Sequence, residues 1–252
     1  MSLQPGVPRG GCRISAVVTA YRFERFIRAA IASIQRQSRP VDEIVVVDNQ
    51  SDDATPVILA ELAAQDARIV LVDVPPRGPA AARNRGLAAA RGDIIAMLDG
   101  DDAWPADKIA RQMARLEAEP VIDMVTGPTS FTDAIDDHTL APPPGARVET
   151  VLQPNIGACL YCRAVFERLG GFDESYRYAD DLDLLLRLRD AGIAFDTLPE
   201  VALYHRRYPG SLLTTVDPRR SQEFVRAVAA SRRRRRERGL PPAEPLLAGG
   251  VA

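Results

Sequence analysis

The sequence contains few cysteines, almost no lysine and no long apolar run. It has three cysteines, Cys12, Cys159 and Cys162. This low, odd number argues against a disulfide scaffold and fits a reducing compartment. Lys108 is the only lysine, which we attribute to compositional bias and not to chemistry. Residues 1–11 lack the charged region and apolar core of a signal peptide, and no segment approaches the ~20 apolar residues of a membrane-spanning helix. We therefore expect a soluble, cytoplasmic protein.

Net charge is also small. A formal charge of −2 gives no basic field of the kind that marks general nucleic-acid binders, so we expect no nucleic-acid partner. With 252 residues, 46% of them hydrophobic, the chain is long enough to bury a substantial core. We predict a flexible N-terminus at 1–12, a main domain at 13–215, and an Arg-rich helix with a mobile tail at 216–252.

Apolar runs and helical periodicity alternate through the first half of the chain. The predicted strands are 13–21, 43–48, 68–74 and 93–98. The predicted helices are 24–37, a helix capped by Thr55 and begun by Pro56, 79–92 closed by Gly92, and 105–119 with Pro105 near its start. Strands continuous in valine and isoleucine indicate burial on both faces. This pattern predicts an α/β fold with a mostly parallel central sheet flanked by helices.

The second half is less regular. We predict a strand at 121–127, a loop or crossover at 139–149, and a helix at 180–192 that Gly192 ends. A helical extension begins at Pro218 and includes the run RRRRRER at 232–238.

An acidic cluster follows the apolar run Ile94 to Leu98. Asp99, Asp101 and Asp102 come directly after it, and mutual repulsion raises the cost of ionising all three. In an open parallel sheet, ligands bind beyond the carboxyl ends of the strands. A divalent cation would relieve the repulsion and would take its other ligands from water and substrate phosphates. The cluster therefore favours a Mg²⁺ or Mn²⁺ site.

The acidic cluster fits a helix cap, a calcium loop or a phosphatase motif less well. A helix cap by Asp101 or Asp102 accounts for one aspartate and leaves two. A calcium EF-hand loop begun at Asp99 would have Trp104 where glycine is needed and Ala110 where the bidentate glutamate belongs. Phosphatases of the haloacid-dehalogenase type carry Asp-x-Asp after their first strand, whereas several predicted strands come first here.

Three segments together resemble the family 2 glycosyltransferases of GT-A fold. They are ISAVVTAYRFERFIRAAIASIQRQ with DEIVVVDNQSDDAT, ARNRGLAAARGDIIAMLDGDDAWPADKI, and GGFDESYRYADDLDLLLRLRDAG. The similarity covers roughly residues 13–215 in family order. It implies a GT-A-like, Rossmann-related sheet with a C-terminal helical extension.

The resemblance also implies roles for individual residues. The nucleotide-sugar would be bound by Thr19, Ala20, Tyr21, Asp48, Arg83 and Asp99. The metal, Mn²⁺ or Mg²⁺, would be held by Asp101, Asp99 and His205. Asp181 aligns with the catalytic base and Asp180 with the acidic residue before it. Such a metal stabilises the negative charge that develops on the leaving diphosphate, while the base takes the proton of the acceptor hydroxyl.

The sequence departs from the family pattern at three places. Arg22 follows Tyr21 where the family usually has asparagine, and Asp180 replaces the usual glutamate. Near the C-terminus, Tyr208 stands at the usual histidine position and His205 lies three residues earlier. Arg206 or Arg207 is an alternative contact for the phosphates.

Three further features have simpler interpretations. Cys159 and Cys162 form a C-x-x-C that we interpret as packing and not as a redox or zinc motif. Trp104 is expected to support the acidic loop from behind. The run 232–238 is either the solvated end of a surface helix or a contact for anionic lipid.

The sequence thus predicts a metal-dependent, inverting glycosyltransferase that uses a nucleotide-diphosphate sugar, most plausibly a UDP-sugar. The acceptor would be a glycan, a lipid-linked sugar or a small molecule, with peripheral membrane contact through the Arg-rich helix as an added hypothesis. Two alternatives remain, a nucleotidyltransferase that makes sugar nucleotides and a non-catalytic binding module. The first usually has a Gly-rich loop after strand one, and VVTAYRFERF has no glycine.

Overall fold

The computed structural model describes residues 11–73, 78–152, 155–211 and 217–241. Most of the expected flexible termini, residues 1–10 and 242–252, lies outside these ranges, as does Val74 at the predicted end of the third strand. The strands are β1 Ile14–Ala20, β2 Glu43–Asp48, β3 Ile69–Asp73, β4 Ile94–Asp99, β5 Met124–Thr126, β6 Thr129–Thr132, β7 Val148–Val151, β8 Leu160–Cys162, β9 Phe195–Thr197 and β10 Leu203–Arg206. The helices are α1 Ile27–Gln35, α2 Thr55–Gln65, α3 Pro79–Ala89, α4 Lys108–Ala118, α5 Arg163–Leu169, α6 Asp180–Asp190 and α7 Pro218–Glu237.

Seven strands form the central sheet in the order β3-β2-β1-β4-β8-β5-β9. Every neighbouring pair is parallel except those that involve β8, which runs antiparallel to β4 and β5. The predicted α/β fold with a mostly parallel sheet is therefore confirmed. The order turns at β1, whose carboxyl end lies between those of β2 and β4, and ligands of such sheets bind at this edge.

A second, three-stranded sheet has the order β10-β6-β7 and was not predicted. The predicted loop over 139–149 is wrong at its end, because β7 begins at Val148. An isolated backbone bridge joins Ala103, just after the acidic cluster, to Tyr204 of β10. The small sheet thereby brings the chain around residue 205 next to the carboxyl end of β4.

The interior strands of the central sheet are more deeply buried than the edge strand β3. The apolar residues of β1, β2 and β4 are buried on both faces, as expected. β3 differs, since Val70 and Leu71 are exposed by 44% and 43%. The expectation of burial on both faces is wrong for this strand because it lies at the edge of the sheet.

Several element ends differ from the predictions. Gly92 does not close α3, which ends at Ala89; a Cβ there would lie 2.5 Å from Ser15 Oγ, so close packing requires glycine. Thr55 does not cap α2, because its hydroxyl accepts a hydrogen bond from the Phe23 amide. Pro105 precedes α4, which begins at Lys108.

The C-terminal predictions are confirmed more closely. Gly192 follows α6 with a φ of 66°, the left-handed conformation that glycine adopts at helix ends. α7 begins at Pro218 and continues through most of the arginine run. None of the helices in the described ranges combines the length and the apolarity needed to cross a bilayer.

Candidate active site

Four expected nucleotide-site residues meet at the carboxyl edge of the sheet. Strand pairing sets Thr19 beside Asp99 and Ala20 beside Asp48. The Thr19 hydroxyl donates to Asp99 Oδ1 at 2.7 Å. Ala20 is buried and its carbonyl accepts the Asn49 amide at 2.8 Å. The ladder of backbone hydrogen bonds therefore fixes both carboxylates at one end of a rigid sheet.

Asp48 is oriented by the turn that follows β2. Its carboxylate accepts the Ser51 hydroxyl at 2.6 Å and the Ser51 amide at 3.1 Å. Ser51 Oγ also accepts the Arg22 amide at 2.9 Å, which ties the two loops together. Arg22 has a φ of 57°, in the left-handed region where asparagine is favoured, and Tyr21 beside it is 46% exposed. The Tyr21 ring is thus open to solvent beside this edge.

Arg83 joins the two acidic regions that lie far apart in sequence. This buried side chain on α3 donates to both oxygens of Asp99, at 3.0 and 3.1 Å, and forms an ion pair with Asp180. Its guanidinium also lies 5.6 Å from the centre of the Phe172 ring. A Cβ on Gly86, one turn further along α3, would lie 2.3 Å from Val17 Cγ1, so glycine lets the helix approach the sheet.

The shared guanidinium affects the acidity of its partners. Burial raises the pKa of Asp99, but the Arg83 charge, the hydrogen bonds from Thr19 and Arg83 and the His205 charge together outweigh this and hold the pKa below the usual value. Burial raises the pKa of Asp180 although Arg83 opposes it. Burial together with the neighbouring Asp180 raises the pKa of Asp181 to about 6. A carboxyl with such a pKa is suited to accept a proton near neutral pH.

Asp181 lies in the first turn of α6 and is only partly buried. The segment before it is held by Asn84, the residue after Arg83. Asn84 Nδ2 donates to the Phe172 carbonyl at 2.9 Å, and its Oδ1 accepts the Phe172 amide at 2.7 Å. Two residues of α3 therefore hold the segment 172–180: Asn84 bonds to Phe172 at its start, and Arg83 pairs with Asp180 at its end.

His205 is paired with Asp102, a member of the acidic cluster for which a helix cap was the less favoured alternative. The His205 Nδ1 lies 2.8 Å from Asp102 Oδ2, and the Arg206 amide donates to Asp102 Oδ1 at 2.9 Å. A helix cap is therefore the wrong role for Asp102, since these contacts bind it to β10. Burial lowers the pKa of His205, but Asp102 and the other carboxylates outweigh it and raise the pKa to about 9.

Asp101 is the carboxyl of the acidic cluster that a neighbouring cation would stabilise most in its ionised form. Asp101 Oδ2 accepts a hydrogen bond from the neutral Tyr208 hydroxyl at 3.0 Å. Burial, then repulsion by Asp102 and Asp99, raises the pKa of Asp101 to about 8. A divalent cation would hold it ionised, so the donor set fits Mn²⁺ or Mg²⁺. Among the described residues, however, no group of three or more histidine, cysteine or acidic side chains is arranged to hold a metal by itself.

The alternative phosphate contacts are already engaged. Arg206 Nε donates to the Asp101 carbonyl at 3.0 Å, and its guanidinium lies 4.5 Å from the Phe26 ring centre. Arg207 pairs with Glu149 at 2.8 Å.

Behind the acidic loop lies a fully buried layer. Trp104 is 1% exposed and donates through Nε1 to the Gly157 carbonyl at 2.9 Å, which agrees with the supporting position expected for it. Lys108 Nζ lies 4.6 Å from the Trp104 ring centre and donates to Gln112 Oε1 and the Cys159 carbonyl, at 2.8 and 3.2 Å. Burial lowers the pKa of Lys108 to about 7. Cys162, like Cys159, is buried, in agreement with packing.

This geometry can now be compared with known proteins. The family model for glycosyl transferase family 2 matches residues 15–169. The chain belongs to glycosyl transferase family 2. The matched residues include Thr19, Asp48, Arg83 and Asp99, whereas Asp180, Asp181 and His205 lie beyond them.

Two curated relatives illustrate the similarity. The chain is 31% identical over 212 residues to the succinoglycan biosynthesis protein ExoO of Rhizobium meliloti, a match of 77% of this chain and 61% of ExoO. It is 30% identical over 208 residues to WfaP of Escherichia coli, named a UDP-Glc:alpha-D-GlcNAc-diphosphoundecaprenol beta-1,3-glucosyltransferase, with 79% of each protein covered. The chain spans about three fifths of the first curated relatives, 61% and 62%.

Two solved structures share the fold. TarS 1-349 of S. aureus in complex with UDP-GlcNAc aligns with a TM-score of 0.70 and 19% identity, over 88% of this chain and 66% of TarS. The mannosyltransferase PcManGT of Pyrobaculum calidifontis, in complex with GDP-Man and Mn²⁺, aligns with a TM-score of 0.62 and 20% identity, over 97% and 79% of the two chains. The predicted GT-A fold is confirmed.

Sequence reasoning missed several residues of the site. Asn84 stands in the quoted motif ARNRG, so its position beside Arg83 was a usable signal. Ser51 was detectable as a turn residue three positions after Asp48. Nothing in the local sequence indicated that Tyr208 would contact Asp101, because 107 residues separate them.

Proposed function

We propose that this chain is a glycosyltransferase that moves a sugar from a UDP-sugar to an acceptor hydroxyl with inversion at the anomeric carbon. The observation that carries the proposal is the Arg83 bridge between Asp99 and Asp180. This bridge joins the edge at which such sheets bind nucleotides to the start of α6, where Asp181 has a raised pKa. Family membership and the UDP-GlcNAc complex of a protein of the same fold support the choice of donor.

In this proposal each expected residue has a separate task. Asp48 accepts hydrogen bonds from the base or ribose, and Thr19, Ala20 and Tyr21 line the nucleotide pocket. Asp181 removes the proton of the acceptor hydroxyl as the new bond forms on the face of the sugar opposite the leaving group. Arg83 keeps Asp99 ionised while it holds Asp180 in place beside the base.

Asp101 and Asp99 would hold Mn²⁺ or Mg²⁺, which supplies positive charge for the leaving diphosphate. His205 would be the third ligand, as the resemblance implies, and Asp102, whose Oδ2 lies 2.8 Å from His205 Nδ1, would fix the orientation of its ring.

The proposal also covers the acceptor of the sugar and the place where the protein acts. WfaP is named for a lipid-diphosphate-linked sugar, which favours a lipid-linked or glycan acceptor for this chain, at the cytoplasmic side. Contact with anionic lipid is a separate hypothesis. Arg234 and Arg235 face the buried Asp190, which leaves Arg232, Arg233 and Arg236 exposed for such contact.

The test is nucleotide release from UDP-, GDP- and dTDP-sugars, with Mn²⁺, with Mg²⁺ and with EDTA. We expect release from one UDP-sugar that EDTA abolishes, because Asp101 needs a cation to stay ionised. Release of pyrophosphate from a sugar phosphate and a nucleoside triphosphate would favour the nucleotidyltransferase alternative. Nucleotide binding without any transfer to a panel of lipid-linked and free glycans would favour the binding module.

A further inference from the structure

The helix α7 lies beyond the region that the family model matches. It packs on the segment of chain that leads into Asp180 and Asp181. Ala227 of α7 is buried in one cluster with Tyr176, Ala179 and Leu186. Two of these residues belong to the irregular segment 171–179, which leads directly into Asp180 and Asp181. α7 therefore contacts the chain immediately before the expected base.

The strongest contacts in this packing are polar. Glu223 Oε2 accepts two successive backbone amides, Arg177 at 2.9 Å and Tyr178 at 2.7 Å. The Tyr178 hydroxyl donates to Asp217 Oδ2 at 2.7 Å, just before α7. Arg226 donates to the Ser175 carbonyl at 2.8 Å. Hydrogen bonds that involve a charged group are about twice as strong as neutral ones, and Glu223 accepts two of them from adjacent backbone amides, so we take it as the main link.

The other end of α7 is fixed to α6. The Ser231 hydroxyl donates to the buried Asp190 at 2.9 Å, and Arg234 pairs with the same carboxylate at 3.1 Å. Arg238 donates to the Asp190 carbonyl at 3.2 Å. Since Asp190 ends α6, these bonds hold α7 along the helix that begins with Asp180. The N-terminal half of α7 is thereby held over the segment before the base.

We propose that α7 acts as a clamp on segment 171–179 and that Glu223 is a positioning residue for Asp181. The segment is irregular, so side chains from α7 and Asn84 replace the ladder bonds that fix a strand. Without Glu223, two adjacent amides lose their acceptor and the first turn of α6 loses its fixed approach. The inference rests on the proposed role of Asp181 as base.

The experiment compares Glu223→Ala with Glu223→Gln and with the matched control Glu237→Ala. Glu237 lies on the same helix, and its side chain is 65% exposed. The glutamine amide oxygen still accepts both N–H groups, so Glu223→Gln tests rescue. The full chain is assayed for hydrogen exchange of residues 175–182, for UDP affinity, and for UDP release from UDP-glucose with Mn²⁺.

For Glu223→Ala we expect amide exchange at 177 and 178 to rise about tenfold. UDP release should fall roughly 10- to 100-fold, since small misplacement of a catalytic group costs this much, while UDP affinity stays within about twofold. Glu223→Gln should stay close to the wild type. Tyr178→Phe, which removes the bond to Asp217, should show a smaller change in the same direction and serves if Glu223→Ala folds poorly.

Two results would overturn the inference. One is exchange and release in Glu223→Ala equal to those of Glu237→Ala. The other is a loss of UDP affinity as large as the loss of release, which would mean that the effect is general and not one of positioning. A wild type that neither binds UDP nor releases it from any donor would instead contradict the proposed function, and the exchange data would still decide whether Glu223 orders the segment.

Discussion

The two acidic regions of the site are held in different ways. Asp48 and Asp99 end strands of the central sheet, so backbone ladder bonds fix them. Asp180 and Asp181 begin a helix after an irregular segment, and side chains from α3 and α7 hold that segment. The first region should therefore tolerate loss of neighbouring side chains, whereas the second should not.

The largest expected effect comes from removing the link between the regions. Arg83→Met leaves the buried Asp180 and the partly exposed Asp99 without their shared cation, which should lower the free energy of unfolding by about 3 kcal/mol. We expect transfer to fall at least about 100-fold, because donor and acceptor sides lose their common support. Urea unfolding and UDP release measure the two effects. The control is Arg85→Met, an exposed arginine two residues along α3, and equal behaviour of the two variants would contradict the bridge.

The next effect should be confined to the helix-borne region. Asp181→Asn removes the proposed base, and we expect transfer to fall by roughly 100- to 10,000-fold while UDP affinity is retained. In the wild type the base works only when deprotonated. With a pKa of about 6, transfer should be level above pH 7 and fall about tenfold per unit below pH 6. A pH profile without this loss would contradict the assignment of the base to Asp181.

The smallest effect concerns the loop above the strand ends. Arg22→Asn places at a φ of 57° a residue type that tolerates this conformation well, and it gives up an exposed ion pair with Asp52 and a contact of the guanidinium with the Tyr21 ring. We expect Tm to rise by about 2 °C, with UDP release unchanged. Arg25→Asn is the control, since Arg25 is exposed on ordinary backbone. A lower Tm for Arg22→Asn would show that the ion pair outweighs the strain.

The same contrast explains how much the sequence could predict. β1, β2 and β4 are long and mostly apolar, so their bounds were predicted within one residue, and the aspartates that end β2 and β4 were placed correctly. β6, β7 and β8 have three or four residues, too few for a periodicity to be recognised. The prediction also missed the pairing of Asp102 with His205, because contacts between residues 103 positions apart leave no local pattern.

The roles of the site residues remain predictions, but the structure narrows them. Arg83 was expected to bind the nucleotide-sugar, and in the structure its guanidinium pairs with two carboxylates. That arrangement depends on α3 packing closely on the sheet through Gly86. The motifs named residues that the fold brings together, whereas the contacts between them became visible only in the structure.

The buried Lys108 has a practical consequence for handling the protein. As the sole lysine it has 0% exposure, so its amine is shielded from acylating reagents in the folded chain. Labelling of Lys108 by an N-hydroxysuccinimide dye therefore reports opening of the layer beneath the acidic loop, which makes such a dye a probe of unfolding.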